Sequence, residues 1–509
     1  LFGVENQLTQ NGLSKSGHLF HKEYLPKIYK SSVMKRNQSL TLSFLLLICF
    51  GLRAQENDLT MQAQLNDTLI ARYNREDFKG IWQLGNNDWK KKSPLGDFAS
   101  YLNYLKARSG LIPSSKPSKR AGNYQFFQWV GEKKNLIVGL AGPSAQMFDD
   151  INFNFFISPA ELSAVQTDNP LKTVIDSNVN SVATRFMVIN SVPGMSIGIF
   201  DNGKMYMYNY GTVAQGQNEL PTNRTIYDLG SITKSFTGIL LAQAVIDKKV
   251  SLTDDIRKWL NGDYPNLAYE SHPIRLVDLA DYTSGLSDIP PDTRNMTDLE
   301  KRLFAAKYTV AKFLEDFHNV KPDFIPGTKY QYSSTAVELL AAILERIYNM
   351  SYANLIQKFI AGPMGMKDTR VTSSSETDTL RFAKGYGADG NERHWNYGPT
   401  FELGGIHSTV HDMFLYIVQN IKETNSAVKL SHKQTTQLGI ADEESGLGWF
   451  IEPTRRGIQI EKGGNSPRHS SECMLIREKN IGVICFTNLQ GQDLQNLAQD
   501  ILDQIITKK

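Results

Sequence analysis

An α+β chain of two domains is predicted by three features of the sequence. Helical periodicity between Asp58 and Gly110 is followed by three aromatic and β-branched runs, which marks a small α+β unit. Farther along, strand signals lie near both ends of the segment 166–509 and helical signals fill its middle, so one sheet has to be completed by parts of the chain far apart in sequence. The composition suits both: 509 residues, 41% hydrophobic and 21% charged, exclude disorder and fibrous repeats and leave enough apolar content for a sizeable core. A formal net charge of +3 gives no reason to invoke nucleic acid, and three cysteines exclude a disulfide-dense scaffold.

The first 54 residues hold seven Lys/Arg and two acids, leaving 48 basic and 50 acidic groups among the other 455. Met34-Lys35-Arg36 precedes an apolar run from Leu40 to Leu52, closed by Arg53-Ala54-Gln55. This is the tripartite layout of a secretory signal peptide, with a positive region, an apolar stretch of about a dozen residues and a small residue before the cut. The expectation is a signal peptide over 34–54, cleavage near Ala54, and a periplasmic or secreted protein, with 1–33 an upstream, non-native segment. A membrane anchor is the alternative, although the apolar run is shorter than the ~20 residues a bilayer core requires. Membrane contact is expected only through this segment, if it stays uncleaved.

Residues 55–165 read as the accessory domain. Leu95, Phe98, Leu102 and Leu105 share a helical face ending at Gly110, and IPSSKPSKRAG after it reads as an exposed loop. NYQFFQWV from Asn123, KNLIVGLAG from Lys134 and MFDDINFNFFI from Met147 read as strands of a meander. On pattern this resembles the cystatin-like or transport-factor-like modules that precede some secreted hydrolases, and no acid/base constellation is visible in it.

The second domain, 166–509, opens with an amphipathic helix from about Leu171 to Asn190 and a hairpin around Asp201-Asn202-Gly203, a turn that favours two residues at positive φ. It closes with a helix carrying Leu494, Leu497, Ile501 and Ile505 on one face. Before that helix, Cys473 and Cys485 lie in two β-rich runs, where a register centred on Lys479 would set them opposite each other. A disulfide and a pair of buried free thiols both remain open.

The chemistry concentrates in TIYDLGSITKSFTGILLAQAVIDKKV. Ser231 and Lys234 are three apart, so on a helix their side chains meet, and a serine hydroxyl is a weak nucleophile until a base takes its proton. A helix start adds N–H groups and a positive dipole end that favour an oxyanion. Alone, Ser-x-x-Lys reads more readily as a helix cap and a surface lysine. Two other elements change that reading: Tyr332-Ser333-Ser334 just before a helix, and Lys462-Gly463-Gly464 before the strand pair with the cysteines.

In this order and spacing, the three elements resemble the serine β-lactamase and penicillin-binding-protein superfamily, nearest to class C β-lactamases, DD-peptidases and related esterases. Leu279-Ala280-Asp281-Tyr282-Thr283-Ser284-Gly285-Leu286 is similar to the family's Leu-Leu-x-His-Thr-Ser-Gly-Leu. Gly404-Gly405-Ile406-His407-Ser408-Thr409 and Gly446-Leu447-Gly448-Trp449 resemble two further landmarks. The resemblance covers roughly residues 170–509. It implies an antiparallel sheet flanked by helices, with a mostly helical lobe between Ser231 and the Lys462 strand and the pocket at their junction.

The resemblance further implies that Ser231 is the acylated nucleophile and that Lys234 and Tyr332 activate it, two ammonium groups, Lys234 and Lys462, favouring a phenolate at Tyr332. It makes Lys462 the contact for a substrate carboxylate, the backbone N–H groups of Ser231 and Asn465 the oxyanion hole, and Ser334 a contact to substrate or lysine. Three departures stand out. Ser334 replaces a frequent Asn, Gly463 replaces a hydroxyl residue, and Tyr282 replaces a usual His, which reads as a structural difference. The first two weaken a β-lactam substrate more than a serine hydrolase. His407 and His411, four apart, read as a polar pair at a helix start rather than metal ligands, and His469 could line the pocket mouth. No metal or organic cofactor is called for. The expected function is an exported serine hydrolase acting through an acyl-enzyme on a small-molecule or peptide substrate: a β-lactam, a D-amino-acid peptide or a carboxylic ester. The alternative is a non-turnover penicillin-binding or cell-wall sensing protein.

Overall fold

The computed structural model describes residues 60–142, 146–287, 300, 303, 308–371, 381–393, 405–436 and 444–507. The expected signal segment and Gly404 lie outside them. Two compact units are distinguished among the described residues: the first takes in 60–103 with 115–128 and the described part of 138–153, the second the other described residues.

The N-terminal helices are α1 (60–74), α2 (Phe78–Gln83), α3 (Asn87–Lys92) and α4 (Leu95–Ser109). Asp77 and Asn86 cap α2 and α3 by accepting from the N–H groups of Gly80 and Trp89 (2.9 and 2.8 Å), which satisfies donors that a helix start leaves open. Strands β1 (Ser114–Ala121), β2 (Tyr124–Val130), β3 (Leu136–Ala141) and β4 (Asp150–Phe155) follow in sequence order within one sheet. Inside the first unit, Trp89 stands edge-on to Phe98 and Phe148, with ring centroids 5.1 and 4.9 Å away. One expectation fails here: the segment read as a loop is β1. It is an edge strand with nearly every side chain exposed, so it carries no apolar alternation, and an edge tolerates Pro117, which a central strand would not.

In the second unit, helix α5 (Val174–Asn190) precedes hairpin β5 (Gly194–Asp201) and β6 (Lys204–Gly211), whose turn has Asn202 and Gly203 at φ 49° and 89°. Strand β7 (Ile226–Asp228) leads through a 3-10 turn, Gly230–Ile232, into helix α6 (Thr233–Ile246). Helix α7 spans Ser334–Tyr348, and β8 (Arg370–Val371) and β9 (Ile406–Thr409) join β7 in a small antiparallel sheet before helix α8 (Val410–Lys422). The C-terminal strands are β10 (Glu444–Ser445), β11 (Phe450–Thr454), β12 (Gly457–Asn465), β13 (Ser470–Ile476) and β14 (Ile481–Thr487), followed by helix α9 (Leu494–Ile506).

The main antiparallel sheet has the order β10-β11-β12-β13-β14-β5-β6, so the N-terminal hairpin closes onto the last strand, with Ile481 opposite Asp201. Helices α5 and α9 cover one face, burying Val179, Ala183, Met187, Leu497 and Ile501 against Ile197, Met474 and Val483. Full burial of the Val, Leu, Ile and Met side chains among these stabilises by roughly 1.5–3 kcal/mol each. The other face packs on α6, α7 and α8. Helix α6 is buried nearly all round, as a central helix must be. Phe236 stacks on Tyr416 at 4.2 Å, and the hydroxyls of Ser235 and Thr237 pair with those of Tyr416 and Tyr352 at 2.8 and 2.7 Å. The helix that follows Ser231 is thereby fixed by apolar packing and by paired hydroxyls.

The register corrects the cysteine geometry. Cys473 pairs with Ile484 and Glu472 with Cys485, one residue away from a register centred on Lys479. A one-residue slip sends side chains to opposite faces. Cys473 joins the core under α6 and Cys485 the core under α9, both as buried free thiols. Peptide mapping after alkylation should find both thiols unmodified in the native protein and both labelled after unfolding. A Cys473–Cys485 bridged peptide would contradict this register.

Candidate active site

The site forms where a strand runs out of partners. β11 pairs with β12 only as far as Phe450 opposite Glu461, so the outer edge of β12 from Lys462 to Asn465 is left without a strand neighbour in the main sheet. The 3-10 turn that carries Ser231 packs there. A Cβ on Gly230, which sits at φ 50°, would come 2.7 Å from the Asn465 nitrogen. A Cβ on Gly464 would come 3.0 Å from the Ser231 nitrogen and overlap the Leu229 carbonyl oxygen. Only glycine at both positions permits this approach.

Within this frame the Lys234 ammonium donates to Ser231 Oγ at 2.9 Å, and the Tyr332 hydroxyl donates to the same oxygen at 2.7 Å. Lys234 reaches back from the first turn of α6. Tyr332 comes from the segment just before α7, where Ser333 caps the helix by accepting from the Ala336 N–H at 3.0 Å and donates to the Ser287 carbonyl at 3.1 Å. Ser334 is the first residue of that helix and is half-buried.

Backbone donors can be read from the ladder. The Ser466 N–H bonds the His469 carbonyl (2.9 Å), so Asn465–Ser470 is the next, non-hydrogen-bonded pair, and the Asn465 N–H points out of the sheet edge toward the Ser231 turn. The Asn465 side chain faces elsewhere: its Oδ1 accepts from Ser470 Oγ (2.6 Å) and from the Gly491 N–H (3.1 Å).

Lys462 is 1% exposed, and its ammonium donates to the Tyr282 hydroxyl at 2.6 Å. It also lies over the rings of Phe450, Tyr282 and Tyr332, at 4.0, 4.6 and 5.1 Å from their centroids. Tyr282, fully buried and at φ 64°, stacks on Tyr332 at 4.8 Å. The residue that reads from sequence as a structural replacement is thus bonded into the site. Its phenol stays neutral, because burial pushes its pKa well above the usual value.

Below Ser231, Asp228 forms a buried clamp that sequence reasoning missed. Ser466 Oγ donates to it at 2.7 Å and the Arg468 guanidinium at 2.8 Å, while the Asp228 N–H donates to His469 Nδ1 at 3.0 Å. Against the desolvation of burial, Arg468 and then His469 hold this carboxyl well below its usual range. His469 is fully buried, donates from Nε2 to the Ala383 carbonyl (3.1 Å), and does not line a pocket mouth. The available signal was a charged residue inside an apolar strand, Tyr227-Asp228-Leu229. His407 lies on β9 facing Asp228, burial pushing its pKa down to about 3, while His411 lies in the first turn of α8, so the two do not share a helix face.

This fold is that of the serine β-lactamase and penicillin-binding-protein superfamily. A family model described as Beta-lactamase matches residues 179–505, and the chain belongs to that family. A β-lactamase of Escherichia coli K12 is 25% identical over 286 residues, covering 54% of this chain and 70% of the relative. A β-lactamase of Pseudomonas fluorescens is 25% identical over 310 residues, 59% of this chain and 80% of the relative. The D-alanyl-D-alanine-carboxypeptidase/endopeptidase AmpH of Escherichia coli K12 is 25% identical over 375 residues, 69% of this chain and 95% of the relative.

Beside Tyr282, the Asp281 carboxyl is 2% exposed and accepts from Thr283 Oγ1 at 2.7 Å. Burial lifts its pKa to about 7, the Thr283 bond opposing and nearby Asp278 adding to the rise. An acid whose folded pKa lies above its unfolded value contributes stability that is present at low pH and lost as pH rises through the folded pKa. Asp281→Asn should therefore gain on the wild type by about 3 kcal/mol between pH 4 and pH 8, measured by urea unfolding at both pH values. An unchanged difference would show that Asp281 ionises freely in the native state.

Proposed function

We propose that this chain is an exported serine hydrolase that forms an acyl-enzyme at Ser231. The observation that carries the reading is the meeting of Lys234 and Tyr332 on one oxygen, Ser231 Oγ, at 2.9 and 2.7 Å. Those two contacts hold beside Oγ two groups, either of which in its unprotonated form can take the serine's proton as it attacks a carbonyl. With one member of the Lys234/Tyr332 pair unprotonated, the Ser231 Oγ–carbon bond forms as the Oγ proton passes to that member, which returns it to the leaving group as the old acyl bond breaks. Water then attacks the ester, the same pair removing its proton, and releases the acid with Ser231 restored. The N–H groups of Ser231 and Asn465 accommodate the oxyanion in both steps.

The relatives named β-lactamase and D-alanyl-D-alanine-carboxypeptidase/endopeptidase support acyl transfer as the reaction class. Incubation with a panel of chromogenic esters and a labelled penicillin, followed over time by intact mass, is expected to show an adduct on Ser231 that forms and decays. Ser231→Ala should abolish the adduct, and Tyr332→Phe should slow its formation by about 10²–10⁴-fold. An adduct that never decays would make the chain a binding or sensing protein. No adduct with any probe would end the hydrolase reading.

A further inference from the structure

The two lysines brought to Ser231 are both engaged, and they differ in what they offer a substrate. Lys234 is bonded to Oγ. Lys462 is enclosed: three rings lie 4.0–5.1 Å from its ammonium, Tyr282 takes a hydrogen bond from it at 2.6 Å, and 1% of the residue is exposed. A cation held in this way keeps its charge but has its contacts taken by ring faces and a hydroxyl, and does not reach solvent to meet a carboxylate.

The next strand position removes a second means of binding one. Gly463 has no side chain, and the space that a side chain would enter is occupied by Glu472, whose Oε2 lies 2.7 Å from where a Cβ would stand. Glu472 is itself buried, and burial pushes its carboxyl well above the usual range. Position 463 therefore adds no hydroxyl and no cation to the edge where Ser231 sits. Among the described residues, what that edge presents is backbone, including the Asn465 N–H, which suits a neutral carbonyl. A carboxylate brought here would find a described cation only by drawing Lys234 away from Ser231 Oγ or Lys462 out of its ring of aromatics.

We propose that Tyr282 keeps Lys462 as an internal cation of the site, and that the substrates are accordingly esters or amides that carry no carboxylate beside the scissile bond. This rests on the acyl-enzyme reading above. Tyr282 acts here as a positioning residue through Lys462, and Tyr282→Phe keeps a ring in the cage while removing the hydroxyl that anchors the ammonium.

The test uses two thioesters that differ only in the leaving group, which bears a free carboxylate in one and its methyl ester in the other. Wild type should favour the methyl ester in kcat/KM by at least about tenfold, mainly through KM. Tyr282→Phe should narrow that ratio at least about threefold by admitting the carboxylate to Lys462. Equal rates on the two thioesters, a preference for the carboxylate, or a ratio that Tyr282→Phe leaves unchanged would overturn the proposal. An uncharged fluorophosphonate, scored by mass on Ser231 in both proteins, separates the two readings. Labelling with the wrong ratio removes only the substrate assignment, whereas no labelling and no thioester turnover removes the acyl-enzyme as well.

Discussion

The approach of the Ser231 turn to the bare edge of β12 is the constraint from which the rest of the site follows. Two chain segments more than 200 residues apart are brought within van der Waals contact, and neither Gly230 nor Gly464 leaves room for a side chain between them. Once they meet, the backbone N–H of Asn465 is directed at the nucleophile's turn by the ladder itself. No side-chain rotamer has to be frozen to place that donor, which is an economical way to preorganise a dipole for a developing negative charge.

What holds the two segments together is charge taken out of water. Asp228 lies three residues before Ser231, and Ser466, Arg468 and His469 lie just after Asn465, so the clamp grips both segments next to the site. Breaking a buried pair of this kind leaves an uncompensated charge, a penalty of about 3–5 kcal/mol. On the upper side, the aromatic group of Tyr282, Tyr332 and Phe450 surrounds Lys462. Ser231 therefore sits between a charged clamp below and a caged cation beside it, and the elements that carry them are fixed by α6, whose apolar and hydroxyl contacts bury it on nearly every side.

Much of this was legible in the sequence, because the signals were local. Ser231 with Lys234, the Asp201-Asn202-Gly203 turn and the apolar stripe of α9 each depend on spacing within one element, and each element forms where that spacing places it. The failures share a different cause. Whether Cys473 faces Cys485 depends on a register that only the assembled sheet sets, and a slip of one residue reverses the answer. β1 has no apolar alternation because its side chains are exposed at an edge. The contacts of Tyr282 with Lys462, and of Asp228 with Arg468, join residues 180 and 240 positions apart, so no window of sequence contains both partners. His469 illustrates the same limit: a polar residue near a site lysine in sequence is turned inward, beneath the nucleophile strand.

A crystal structure of the protein carrying a small uncharged phosphonate is the most direct measurement of the central claim. The phosphorus is expected to be bonded to Ser231 Oγ, with one phosphoryl oxygen about 2.7–3.1 Å from the N–H nitrogens of both Ser231 and Asn465 and with Lys462 still bonded to Tyr282. A phosphoryl oxygen turned away from Asn465, or an adduct on any other side chain, would show that the edge of β12 does not build the site.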